Sequence, residues 1–61
     1  MKLTLKMDLD GGAFEPFRNH ETARILRTLE RQLTSTSPLE PGDEFPLLDA
    51  NGNRVGRAVV S

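Results

Sequence analysis

The sequence predicts an α+β domain of order β-α-β-β: a three-stranded antiparallel sheet with one amphipathic helix packed on one face. Three observations predict it. Residues Lys2 to Leu9 alternate between apolar and polar, and the stretch from Asn19 to Leu33 repeats with the period of a helix. Near the end of the chain, Asn51-Gly52 separates two apolar-rich runs, the strongest short signal for a hairpin.

In the first segment Leu3, Leu5, Met7 and Leu9 fall on one side and Thr4, Lys6 and Asp8 on the other. That is the pattern of a half-buried strand. Asp10-Gly11-Gly12 ends it, because glycine relaxes the backbone and aspartate favours turns. Phe14 and Phe17 flank Pro16 and are expected to plug the core, since two of the three aromatic residues sit there. The helix is expected from about Asn19 or His20 to about Leu33. Asn19 is its expected N-cap, and Glu21 lies in the first turn, where the helix dipole favours negative charge. At about 100° per residue, Thr22, Ile25, Leu26, Leu29 and Leu33 share one arc, with Arg24, Arg27 and Arg31 opposite. Thr34-Ser35-Thr36-Ser37-Pro38 ends the helix, since the residue before a proline resists helical geometry.

Leu39 to Asp43 form a loop stiffened by Pro38 and Pro41. The hairpin runs from Glu44 to Asp49, turns at Ala50-Asn51-Gly52-Asn53, and returns from Arg54 to Val60. Two registers fit it. A two-residue turn pairs Leu48 with Val55, and a three-residue turn with a bulge at Gly52 pairs Leu47 with Val55. The second is preferred because it gathers Phe45, Leu47, Val55 and Val59 on one face, although it turns Arg57 inward. Pro46 marks the first hairpin strand as an edge strand. The last strand then lies between the other two. The face without the helix, carrying Thr4, Lys6, Leu48, Ala58 and Val60, is expected to stay open or to meet another subunit.

A chain of 61 residues makes a single domain, residues 1–61. Domains this small bury only about 60% of the surface of the unfolded chain, and with no cysteine none of it is stapled by disulfides. A homodimer is therefore expected. Cysteine-based zinc sites are excluded, and one histidine excludes the common mixed sites. Charges recur through the N-terminal residues before any apolar run develops, so neither a signal peptide nor a membrane span is expected. The expected setting is cytoplasmic. Eight basic and nine acidic side chains give a formal charge of −1, which argues against a strongly basic nucleic-acid binder.

Reactive groups are scarce. His20 is the only imidazole, and it falls on the arginine side of the wheel, away from any pocket a general base needs. There is no tyrosine and no G-x-S-x-G. Asp49-Ala50-Asn51-Gly52-Asn53 opens like a calcium loop, but Arg54 replaces the required glycine and Val60 the closing glutamate. Asp8-Leu9-Asp10-Gly11 fails in the same way, so both read as turns. Gly11-Gly12 makes no phosphate cradle. No enzyme, cofactor or metal is expected. Arg24, Arg27 and Arg31, at helical spacing, are the candidate partner-binding residues, able to grip phosphates or acidic side chains. Thr4 and Lys6, on the open side of the first strand, join them.

The whole pattern resembles small accessory proteins encoded by bacteriophages and prophages. The resemblance rests on the alternating N-terminal strand, Ala13-Phe14 ahead of the helix Ala23-Arg24-Ile25-Leu26-Arg27-Thr28-Leu29, and the D-x-N-G-N-x-V-G hairpin from Asp49 to Gly56. It implies a protein that binds and inhibits a host protein, including anti-CRISPR and other anti-defence roles. It assigns no functional residue. The competing expectation is a DNA-binding antitoxin or small transcriptional regulator, its first strand paired as a β-ribbon in a major groove.

Overall fold

A computed structural model describes residues 1–61. Its elements are strand β1 (Leu3–Met7), a 3-10 turn (Gly12–Phe14), helix α1 (Arg18–Thr34), and strands β2 (Glu44–Leu48) and β3 (Arg54–Val60). The sheet is antiparallel throughout, in the order β1-β3-β2. The α+β architecture and the central place of the last strand are therefore as the sequence predicts.

Along most of its length the hairpin register corrects the preferred expectation, although the turn itself is the three-residue one expected around Gly52. Phe45 pairs with Ala58 and Leu47 with Gly56, which is the register of the two-residue turn. Next to the turn the ladder slips so that Leu48 faces Arg54, which is the register of the three-residue turn. Val55 is left as the extra residue of a β-bulge. A bulge reverses the alternation of the strand that carries it. Val55 packs against the core on one side of the slip, while Ala58 and Val60 are buried on the other. Ala58 and Val60 thus belong to the helix-covered face and not to the open one. Val59 and Arg57, expected inside, turn away from the core, with Arg57 exposed.

The turn explains why the slip is stable. Asp49 is buried, and its Oδ1 accepts the backbone N–H groups of Asn51 and Asn53, both at 2.9 Å. Asn53 also donates from its side-chain amide to Asp49 Oδ2 at 3.3 Å. Gly52 takes φ +82°, a left-handed conformation that glycine adopts without strain. One carboxylate therefore organises the whole loop as turn chemistry.

Phe14, Ile25, Leu29, Leu47 and Ala58 form the core, with Met7, Leu9, Leu33, Phe45 and Val55 packed around it. Phe14 is fully buried as expected, but Phe17 is 72% exposed. The reason is local. Phe17 is the N-cap residue of α1, so its side chain projects before the first helical turn. Asn19 is consequently not the cap. The helix starts one residue earlier than expected and has no side-chain cap bond.

Helix α1 is also rolled relative to the expected stripe. Its buried residues are Glu21, Ile25 and Leu29, whereas Leu26 is 42% exposed. The buried arc lies about 50° from the centre of the apolar one, at about 100° per residue. The cause is a polar anchor. The Glu21 carboxylate accepts the Ala50 N–H at 2.7 Å, pulling the helix towards the hairpin turn. The helix therefore lies towards β2, leaving Leu3 and Leu5 of β1 exposed while Met7, at the end of that strand, still packs against the core.

Candidate protein-binding surface

Three surfaces can be built from these elements. The first is the arginine stripe, which the structure divides. Arg24 donates from Nε to Glu21 Oε1 at 2.8 Å and from Nη2 to Glu21 Oε2 at 3.1 Å. Its Nη2 also reaches the Leu48 carbonyl at 3.3 Å. The fork geometry suits a carboxylate, and it joins helix, strand and turn. The bonds from Arg24 hold the Glu21 carboxyl below its ordinary range despite its burial, and the Ala50 N–H adds to the effect. The same contact raises the Arg24 pKa. Arg24 is thus committed to the fold. Arg27 and Arg31 stay exposed, with Arg31 Nη2 at 3.5 Å from the Thr28 hydroxyl.

The second surface is the open sheet face, where Thr4 and Lys6 lie. Thr4 faces Val59 and Lys6 faces Arg57 across the ladder. Like charges directly opposite each other repel. Glu44 offsets the charge on the far side, binding Arg54 at 2.7 Å and approaching Arg57 at 3.8 Å. Lys6 has no ion pair of its own. The bulge has removed Ala58 and Val60 from this face, so it is polar rather than the apolar surface the sequence suggested.

The third surface was not foreseen. On the helix side of the sheet, Leu3 faces Val60 and Leu5 faces Ala58. Both partners are buried, yet Leu3 is 48% and Leu5 37% exposed. They lie on the part of the sheet that the rolled helix leaves bare, and the exposed Leu26 lies on the arc of α1 away from the hairpin. The signal for this was present in the spacing. Glu21, Ile25 and Thr28 fall at i, i+4 and i+7, the mark of one helix face, and an acidic residue on that face requires a partner across the core.

His20 is exposed in the first turn, with no hydrogen-bonded partner for its imidazole. No three His, Cys, Asp or Glu side chains gather as metal ligands. No helix is long and apolar enough to cross a membrane. Compared with protein-family models, with curated proteins and with solved structures, the chain matches none.

Proposed function

We propose that this chain is a non-enzymatic protein-binding module, a mobile-element accessory protein that binds and inhibits a host protein. One observation carries the reading. Leu3 and Leu5 present apolar surface beside buried Ala58 and Val60, in a domain too small to leave such surface bare without cost. The partner that fits is a protein offering apolar side chains, with exposed Arg27 and Arg31 at the polar margin. The scarcity of nucleophiles and the unpartnered His20 support binding over catalysis. The likeness of the sequence pattern to phage proteins supports the origin.

The test uses the protein capturing a host protein, followed by affinity measurement with that protein once purified. Leu3→Asp and Leu5→Asp should each weaken binding by about tenfold or more, with helix and sheet content unchanged by circular dichroism. Arg24→Ala is unsuitable as a binding probe, because it opens the anchor to Glu21. Equal affinity in the leucine variants and the wild type sinks the proposed surface.

A second reading, nucleic-acid binding, is favoured by the crowding of Lys6, Arg54 and Arg57 on the open face. It predicts DNA affinity that falls steeply with salt and is lost in a Lys6→Ala/Arg57→Ala variant. The leading reading predicts no such affinity.

A further inference from the structure

The two edges of this sheet are not alike. On β3, Val60 exchanges backbone bonds with the β2 side: its carbonyl accepts Gly42 N–H at 2.8 Å, and its N–H donates to the Asp43 carbonyl at 2.9 Å. Alternation in an antiparallel ladder then directs the polar backbone groups of Phe45 and Leu47 at β3. Pro46, between them, has its nitrogen towards the outside. It offers no donor there, so the outer edge of β2 is blocked to a further strand.

The edge of β1 is open. Lys2 and Ser61 exchange N–H to carbonyl bonds of 2.7 and 2.8 Å, and Asp8 N–H donates to the Val55 carbonyl at 2.7 Å. The even-numbered residues of this strand therefore spend their backbone groups on β3. By the same alternation, the N–H and C=O groups of Leu3, Leu5 and Met7 point out along the free edge. A row of unpaired groups of this kind is a template for another strand. No proline, bulge or covering loop protects it.

We propose that a second copy of this chain occupies that edge, β1 against β1, in antiparallel pairing with Leu5 on the two-fold axis. Charge selects the register. Centred on Leu5, the pairing sets Lys2 opposite the partner's Asp8 and Thr4 opposite the partner's Lys6. Centred on Thr4, it would set Lys2 against the partner's Lys6. Centred on Lys6, it would set that lysine against its own copy. Of these three registers, only the one centred on Leu5 joins opposite charges and opposes no like ones. Centred on Met7, the pairing would set Lys6 opposite the partner's Asp8, but Leu3 would fall opposite the partner's Gly11, beyond the strand. The Leu5 register is also the one in which all three outward residues find partners, Leu3 with the partner's Met7 and Leu5 with the partner's Leu5. These are bonded pairs, each exchanging two backbone bonds. Asp8 Oδ1 accepts the Asp10 N–H at 3.0 Å, and its second oxygen is free for the lysine.

The product is a continuous six-stranded sheet with both helices on one side. Their rolls carry them towards the outer strands, so the centre of the sheet is a trough floored by Leu3, Leu5 and Met7 of both copies. The inference goes beyond the proposed function and does not depend on the identity of any host protein.

Because the chain lacks cysteine, a single introduced thiol reports the register. Residues directly opposite in a bonded pair have Cα atoms about 5.5 Å apart, within the span of a disulfide. Light scattering of the wild type at about 100 μM should give twice the 6.8 kDa protomer mass. Leu5→Cys should cross-link to a covalent dimer on mild oxidation, whereas Thr4→Cys and Lys6→Cys should not. Leu5→Pro should give a monomer with an unchanged circular dichroism spectrum, since its N–H bonds nothing within the protomer. A monomeric wild type overturns the proposal. So does a dimer that cross-links through Thr4→Cys or Lys6→Cys but not through Leu5→Cys, because that dimer uses another register or face. Failure here leaves the host-protein reading standing, since that reading is tested on the leucine side chains and the captured protein.

Discussion

Glu21 and Gly56 carry more of this fold than their chemistry alone suggests. Glu21 gathers two bonds from Arg24 and one from the Ala50 N–H, joining helix to turn. Its folded pKa is lowered from an ordinary 4.5, chiefly by the Arg24 bonds. A lowered folded pKa means the stability it contributes is complete above 4.5 and is lost as pH falls through the folded value. Thermal melts across acidic pH should therefore show a falling Tm that Glu21→Gln flattens. Gly56 answers to space instead. A Cβ there would meet the Lys6 carbonyl and lie 2.8 Å from Met7 Cα, both backbone groups of β1. Gly56→Ala should cost about 3 kcal/mol or more, read as loss of the cooperative melt, because two strands would have to part. Arg24 and Arg27 should also separate. Arg27→Ala should change stability by less than about 0.5 kcal/mol, and Arg24→Ala should destabilise clearly in the same denaturant titration.

At the scale of elements, the roll of α1 decides which apolar residues count. Ile25 and Leu29 face the core, so Leu29→Ala should cost about 2–5 kcal/mol by chemical denaturation. Leu26, in the same apolar arc of the sequence, should cost well under that, because it is already exposed to solvent. The pair is a direct test of the roll. The hairpin has its own test. Gly52→Ala should cost about 1 kcal/mol through its φ of +82° without altering the register, since Asp49 still holds the turn. The bulge at Val55 supplies the twist that lets both Val55 and Ala58 reach one core.

At the scale of the molecule, one helix lies over part of a three-stranded sheet, and the uncovered part holds Leu3 and Leu5. A domain of this size has little stability to spare. If a second copy closes the β1 edge, folding and association are linked and Tm rises with protein concentration. A melt independent of concentration between about 5 and 200 μM would speak against that linkage. The same bare strip is where a host protein is proposed to dock, so the central trough of a dimer would offer it twice.

The strands, the helix, their order and the edge position of β2 were legible in the sequence, because each depends on short-range periodicity and turn chemistry. The Pro46 edge and the Asp49 turn belong to this local class. Beyond the turn the hairpin register was not legible, because a single bulged residue reverses the face of everything on its far side, and nothing local in the sequence marks Val55 as that residue. The helix roll was only partly legible, in the i, i+4, i+7 spacing of Glu21, Ile25 and Thr28. Hydrophobic pattern places the apolar arc inward. The Glu21 carboxylate has Arg24 as a local partner at i+3, but it also takes the Ala50 N–H, which it meets only in three dimensions. Arg24 was thereby taken from the binding stripe, and Leu3, Leu5 and Leu26 were left on the surface. Local physics determined the elements, and the satisfaction of one buried carboxylate decided which surface remains to bind.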